Sequence, residues 1–246
     1  MDRVLYVSMS GAKQAMLAQA ANNHNLANVN TTGFLADLHQ FRSMPVLGDG
    51  YATRVYAMDE RVDTDFSRGS VEITGRDLDI AINGEGWLAV QGPDGEESYT
   101  RAGNLRIQST GMLTTIGGHP VLGNGGPVVI PPVEKLEIGS DGSISIVPLG
   151  QEASTMALVD RIKLVNPSMA QLKKAPNGML QLKTGETSPT DASVKIMSGS
   201  LEASNVNAVE ALVTMIGLSR QYEMQVKVMK AAEEADALTT QMMRVS

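Results

Sequence analysis

A segment of 40 residues near the C-terminus most constrains the fold of the chain. From Ser204 to Met243 there is no proline, and the single glycine is Gly217. A continuous helix over this segment would be roughly 60 Å long at about 1.5 Å per residue, longer than helices packed inside one globular domain. The segment therefore predicts a bundle or coiled-coil arm, with Ser204 or Asn205 as its N-cap.

Apolar side chains follow this predicted helix in two neighbouring stripes. The stripes are Val206, Val209, Val213 and Ile216, and beside them Leu212, Tyr222, Val226 and Met229. Each stripe needs a partner surface, because an isolated helix is marginal in water and is stabilised by burying its apolar face.

A second helix is predicted at the other end, from Leu5 to about Asn30. It carries a heptad-spaced stripe whose second half is polar. The stripe consists of Leu5, Met9, Ala12, Met16, Gln19, Asn23 and Leu26. No Asp, Glu, Lys or Arg occurs between Gln14 and Ala36, although a free surface helix normally carries charges. Packing inside an assembly explains this composition, and a helix in the core of this domain is the alternative.

The middle of the chain has the pattern of short antiparallel strands. Apolar residues alternate with period two at Leu78/Ile80/Ile82, Leu136/Ile138, Ile144/Ile146, Ile162/Leu164, Leu180/Leu182 and Val194/Ile196. Turn dipeptides such as Asp141-Gly142 separate these runs and favour tight hairpins. The predicted fold class is α+β: an all-β centre with terminal helices that pair into a coiled-coil-like arm. The predicted division is an N-terminal helix over 1–34, an extended connector over 35–75, a β-rich domain over 76–203 and a C-terminal helix over 204–246.

Composition excludes several classes of function. The formal net charge is −7, which disfavours binding to nucleic-acid phosphates. The chain has no cysteine, so disulfides, thiol catalysis and cysteine-ligated zinc are excluded, and its three histidines are far apart. Asp77 and Asp79 are expected to lie on a solvated strand face. We expect no catalytic residue, no cofactor and no metal.

The sequence also lacks the patterns of a membrane-spanning segment and of a cleaved signal peptide. No run approaches ~18 consecutive apolar residues, so no membrane insertion is expected. The first residues lack a basic region followed by an apolar one, so no cleaved signal peptide is expected.

Three segments resemble the signatures of bacterial flagellar rod and hook proteins. The first runs from Asn25 to Phe34 (NLANVNTTGF). The second is 77–87 (DLDIAINGEGW), continued by 99–105 (YTRAGNL) and 111–113. The third begins at Ser204-Asn205-Val206-Asn207 and continues to Glu223. They occur in the family's order and cover nearly the whole chain.

The resemblance implies a structural subunit of the flagellar basal-body rod and no enzymatic activity. Members of this family leave the cell through the flagellar type III export apparatus, polymerise helically in the periplasm and transmit torque from motor to hook. Implied partners are other rod proteins and copies of the chain itself, and no small-molecule substrate. The opening residues and length favour a proximal rod position. A distal rod subunit or other axial protein is the alternative, and a monomeric β-domain binding protein or enzyme is a more remote one.

The predicted assembly interface combines the two terminal helices with the turn after the first. We expect Gly33 in this turn to hold a positive φ or to pack too closely for a Cβ atom. The predicted interface residues are Leu5, Met9, Met16, Asn25, Leu26, Asn28, Gly33, Phe34, Asn205, Val209, Leu212, Val213, Ile216, Tyr222, Val226 and Met229.

Overall fold

The structure is a computed structural model that describes residues 2–45, 55–148 and 156–245. The chain forms two compact units. Unit 1 comprises Met1–Val29, Ala36–Asp65 and Val206–Ser246, and unit 2 comprises Asn30–Leu35 and Phe66–Asn205. The chain therefore passes from one unit to the other at four points along its sequence.

Unit 1 contains both helices and one hairpin. Helix α1 spans Asp2–Ala27 and helix α2 spans Ala208–Val245. The 38 residues of α2 make it roughly 57 Å long at about 1.5 Å per residue, so the predicted long C-terminal helix is confirmed. The hairpin pairs β1 (Asp37–Pro45) with β2 (Val55–Thr64) in antiparallel register.

This hairpin lies inside the segment 35–75, where the sequence predicts an extended connector. Most residues of β1 are exposed, and they include apolar as well as polar side chains. A strand without one consistently buried face needs no alternation of apolar and polar residues, so the segment lacks the period-two pattern of a strand.

Helix α2 begins later than expected. The side-chain Oδ1 of Asn207 accepts hydrogen bonds from the backbone N–H groups of Val209 at 3.0 Å and Glu210 at 3.3 Å. Asn207 is therefore the N-cap, and the prediction of Ser204 or Asn205 is wrong. Asn205 instead hydrogen-bonds within unit 2.

Unit 2 is built from short strands. The strands are β3 (Val71–Ile73), β4 (Ile80–Asn83), β5 (Trp87–Gln91), β6 (Glu97–Thr100), β7 (Leu105–Ile107), β8 (Leu113–Thr115), β9 (Val133–Ile138), β10 (Ser143–Pro148), β11 (Ala157–Arg161), β12 (Leu164–Val165), β13 (Leu172–Lys174), β14 (Leu180–Leu182), β15 (Lys195–Ser198) and β16 (Ser200–Glu202). A short 3₁₀ helix at Met169–Gln171 precedes β13.

All strand pairs described in unit 2 are antiparallel. A five-stranded sheet has the order β12-β5-β6-β14-β13, and a three-stranded sheet has the order β11-β10-β9. The remaining strands pair as β15-β4, β16-β3 and β7-β8. Most of the period-two runs fall in these strands, while the run Ile162/Leu164 begins just after β11 and ends on the first residue of β12. The α+β class with short antiparallel strands is therefore confirmed.

Unit 2 holds two clusters of buried apolar side chains. The larger contains Ile80, Leu88, Ile144 and Leu164, and the smaller surrounds Trp87 and Tyr99. The Tyr99 hydroxyl accepts the backbone N–H of Ser188 at 2.8 Å, and burial raises the pKa of this hydroxyl well above its ordinary value. Unit 2 thus contains the large apolar core of the described chain, and its strands pack on this core.

Candidate assembly surface

Small side chains line the face that α1 turns toward the rest of unit 1. The buried residues of the two helices are Ser8, Ala12, Ala15 and Ala18 of α1, and Ala211 of α2. The amide Nδ2 of Asn22 donates to the carbonyl of Ala211 at 2.8 Å. A Cβ atom at Gly11 would lie 3.0 Å from the side chain of Gln225. Small residues thus let α1 and α2 approach closely, and their contact buries little apolar area.

The large apolar side chains of the two helices point elsewhere. In α1, Leu5, Met9 and Met16 are 37%, 51% and 56% exposed. In α2, the exposed members of the predicted interface are Val209, Leu212, Val213 and Ile216, at 70%, 44%, 65% and 54%. Four more predicted interface residues, Leu26, Tyr222, Val226 and Met229, are half-buried. We name these eleven residues the outer apolar surface.

The heptad stripe of α1 is therefore divided between two environments. Its Ala12 is buried, whereas its large members Leu5, Met9 and Met16 remain largely exposed. The neighbouring stripe of Ser and Ala makes the internal contact instead, because small residues let the helices pack at shorter distance. Pairing of α1 and α2 in coiled-coil geometry stays a prediction.

Charge distinguishes the two helices. From Gln14 to its end α1 carries no Asp, Glu, Lys or Arg. From Arg220 onward α2 carries charges of both signs, all on exposed residues: Arg220, Glu223, Lys227, Lys230, Glu233, Glu234, Asp236 and Arg244. A neighbour of α1 therefore meets amides, methionines and aliphatic groups, and it meets no unpaired charge along this stretch.

Several amides in α1 and just after it hydrogen-bond within unit 1. Asn25 Oδ1 accepts the backbone N–H of Asp37 at 2.8 Å, and Asn25 Nδ2 donates to the carbonyl of Asp37 at 2.9 Å. His24 Nδ1 lies 2.7 Å from a carboxylate oxygen of Asp37. Asn28 Nδ2 donates to the carbonyl of His24 at 2.9 Å. Asn25 therefore fixes the first residue of β1 to the end of α1.

Gly33 lies in unit 2 and has both of the expected properties. Its φ is +65°, and a Cβ atom would collide with the backbone of Arg101 and Ala102. Its N–H donates to the carbonyl of Glu202 at 2.8 Å. The neighbouring Phe34 ring lies under the Lys174 ammonium, whose Nζ is 4.4 Å from the ring centroid. Gly33 and Phe34 therefore anchor the segment 30–35 within unit 2.

A buried ion pair, which no sequence pattern predicts, lies beside Gly33. Arg101 Nη1 donates to both carboxylate oxygens of Glu202, at 2.9 and 3.1 Å, and the two side chains are 4% and 2% exposed. Arg101 Nη2 donates to the carbonyl of Gly84 at 3.1 Å. The guanidinium carbon lies 4.8 Å from the centroid of the Trp87 ring. Arg101 is part of the segment 99–105, but no local pattern identifies Glu202 as its partner.

Hydrogen bonds join this ion pair to other segments of unit 2. Gly69 N–H donates to Glu202 Oε1 at 3.3 Å. Asn205 N–H donates to the carbonyl of Phe34 at 3.3 Å, and Asn205 Nδ2 donates to the carbonyl of Ser67 at 3.0 Å. We name the group of Gly33, Gly69, Arg101, Glu202 and Asn205 the clasp.

The expected solvated carboxylates behave differently from each other. Asp77 is exposed, but Asp79 is 4% exposed, so the prediction for Asp79 is wrong. Its carboxylate accepts the Thr74 hydroxyl at 2.8 Å and Arg76 Nη1 at 3.4 Å. These contacts provide hydrogen-bond donors for the buried carboxylate and account for it as a structural group. Among the described residues, no three His, Asp or Glu side chains are grouped to hold a metal ion.

Neither helix, over the part of the chain that the structure describes, has a stretch long and apolar enough to cross a bilayer.

Two family descriptions match this arrangement. Residues 81–146, from β4 to β10, match the flagellar hook protein FlgE/F/G D1 domain. Residues 197–242, from β15 through most of α2, match the flagellar basal body rod FlgEFG protein C-terminal region.

Similarity to individual proteins extends over the whole chain. The chain is 39% identical over 252 residues to the flagellar basal-body rod protein FlgF of Salmonella typhimurium strain LT2. It is 39% identical over 253 residues to FlgF of Escherichia coli strain K12, and both alignments cover 100% of both chains. It is 31% identical over 257 residues to FlgG of Bacillus subtilis strain 168, covering 95% of this chain and 96% of that one.

The chain belongs to the family of flagellar rod and hook proteins, and it is a structural subunit of the basal-body rod. Within this family it is most like FlgF. The resemblance that the three sequence segments carried is therefore confirmed.

Proposed function

We propose that the chain polymerises helically through its terminal segments, 1–34 and 204–246, to form the proximal part of the rod and to transmit torque from motor to hook. The observation that carries the proposal is the outer apolar surface. Seven of its side chains are more than one-third exposed on two long helices. Exposed apolar patches of this kind mark surfaces that associate with other proteins.

The contacts in such a polymer are heterologous, because a patch on one subunit meets a different patch on the next and the array does not close. The charge-free stretch of α1 suits this geometry, since it can be buried by a neighbour without desolvating a charge. The proposed coiled-coil-like arm is the unit that packs. In this proposal the outer apolar surface makes the direct contacts with neighbouring subunits. Asn25 and Asn28 act within unit 1, where they hydrogen-bond, and Gly33, Phe34 and Asn205 act within unit 2.

The proposed partners are copies of this chain, other rod proteins and the flagellar type III export apparatus. In this proposal the export apparatus delivers the chain to the periplasm-spanning rod. The proposed role is mechanical and involves no catalysis, cofactor, nucleic acid, small-molecule substrate or membrane insertion.

Electron microscopy of basal bodies from a deletion strain tests this function. We expect the rod to end early, with no distal rod or hook, and complementation with the wild-type gene to restore both. A rod that lacks only its distal part would assign the chain to the distal position. Complete basal bodies in the deletion strain would refute a role in the rod.

A further inference from the structure

The clasp joins four separate segments, and three of them are close to a point where the chain enters or leaves unit 2. Gly33 and Phe34 belong to the segment 30–35, which unit 1 residues precede and follow. Ser67 and Gly69 follow the third passage, and Asn205 precedes the fourth. The chain thus brings all of its passages to residues that are hydrogen-bonded to one another within unit 2.

The segments of the clasp meet through their backbones. A Cβ atom at Gly69 would collide with the carbonyl of Ala203, just as one at Gly33 would collide with the backbone at 101–102. Ala203 N–H donates to the carbonyl of Ser70 at 2.8 Å. Contacts between backbones leave no flexible side chain to absorb displacement, so relative sliding of these segments must break hydrogen bonds.

The ion pair at the centre has a property that apolar packing lacks. A buried ion pair is weak as a source of stability, because desolvating both charges offsets their attraction. It is directional, however: Arg101 binds both oxygens of Glu202 and also the Gly84 carbonyl, so a small shift of any one group misaligns several hydrogen bonds. Such a pair resists displacement more than its contribution to stability would indicate.

We propose that Arg101 and Glu202 are positioning residues for the mechanical role of the subunit. They hold the segments 30–35, 66–70 and 202–205 in one register, so that torque carried by the polymer loads these segments together and does not extend them one after another. This inference rests on the proposed function in the rod. It adds the residues through which unit 2 bears the load.

The test compares variants that lose the same amount of thermal stability but differ in whether they alter the clasp. Glu202→Gln keeps the size of the side chain and removes the charge of the clasp. Glu97→Gln does the same to a second pair of unit 2, in which Lys163 Nζ lies 2.7 Å from Glu97 Oε2 and the side chains are 16% and 9% exposed. A third variant, Asn205→Ala, removes the clasp bond to Ser67 without uncovering a buried charge. Melting of each purified full-length protein establishes which variants are matched in stability.

Strains that carry each variant are then examined at low and at high viscosity. We expect all three to build complete basal bodies at low viscosity. At high viscosity we expect the Glu202→Gln and Asn205→Ala strains to shed hooks with attached rod several-fold more often than wild type, while Glu97→Gln behaves as wild type.

Measuring hook shedding at high viscosity distinguishes a positioning role of the clasp from a contribution to stability alone. Equal shedding by Glu97→Gln at matched melting temperature would overturn the proposal, and so would wild-type behaviour of the clasp variants at every load. If Glu202→Gln fails to assemble, Asn205→Ala alone decides in the same way. Complete basal bodies in the deletion strain would refute the rod function itself, and a load-independent Asn205→Ala strain would refute only the role of the clasp.

Discussion

Gly33 occupies a position where both the backbone conformation and the surrounding atoms favour glycine. Its φ of +65° disfavours any side chain, and the backbone at 101–102 leaves no room for one. Gly75 has the same conformation, with φ of +70°, but no atom lies within 4 Å of the position of its Cβ. Comparing substitutions at the two glycines therefore distinguishes the cost of backbone strain from the cost of a steric collision.

We expect Gly75→Ala to lower the free energy of unfolding of unit 2 by about 1–2 kcal/mol, the cost of a left-handed conformation. Gly33→Ala should cost clearly more, because the backbone of Arg101 and Ala102 must also move. Denaturant titration followed by the fluorescence of Trp87, the single tryptophan, measures both in unit 2. Equal losses for the two variants would show that the segment 30–35 adjusts without strain.

Sequence patterns predicted individual residues only where the reason is local. Gly33 follows a helix and two threonines, so a turn was expected there. The burial of Asp79 and the pairing of Arg101 with Glu202 depend on residues brought together by the fold, and the pair is separated by 101 positions. Alternation predicts which side of a strand faces a core, but it does not predict that β4 is covered on both sides, with Ile80, Ala81 and Ile82 all buried.

The exposed apolar residues of α2 determine how a charged substitution in this helix affects the isolated protein and the polymer. Ile216→Asp should change the stability of the isolated protein by less than about 0.5 kcal/mol, as is usual for surface substitutions, because Ile216 is 54% exposed. In the polymer the same aspartate would be buried without a partner, which costs several kcal/mol. We therefore expect normal melting together with loss of basal bodies and of swimming.

The matched control is Thr214→Asp. Thr214 is exposed and lies on nearly the opposite side of the helix from Ile216, two residues away. We expect this variant to swim. Motility of the Ile216→Asp strain would show that this part of α2 stays in contact with solvent in the rod.

Elements with strong periodicity were predicted well from the sequence, since a helix of 38 residues and alternating strands both leave local patterns. The hairpin of β1 and β2 was missed because most of β1 is exposed, which removes the alternation of buried and exposed side chains from that strand. The inner face of α1 was also missed, because alanine and serine contrast little with polar neighbours. Large side chains dominate such patterns, and in α1 these are the ones that face outward.

The two units differ in how much apolar surface they bury, and this difference predicts the order in which they unfold. Unit 2 buries many Ile, Leu and Val side chains, whereas the buried helix residues of unit 1 are serine and alanine. Hydrophobic stabilisation scales with buried apolar area. In urea we therefore expect the helical far-ultraviolet signal, which comes from α1 and α2, to be lost at lower denaturant concentration than the fluorescence change of Trp87.

Hydrogen exchange gives the same comparison at the level of segments. Amides of α1 should exchange faster than those of β5, β6 and β10. Coincident transitions, with equal protection in both units, would show that the protein unfolds as one cooperative body.

The charge-free stretch of α1 has a consequence for the conditions under which subunits associate. Salt weakens attraction between exposed charges, and the Debye length falls from about 30 Å at 0.01 M to about 8 Å at 0.15 M. A contact made by Met16, Leu26 and neighbouring amides contains no ion pair for salt to screen. Subunits joined through this stretch would keep their affinity when a bacterium moves between dilute and saline water, whereas contacts through the charged part of α2 would respond to the change.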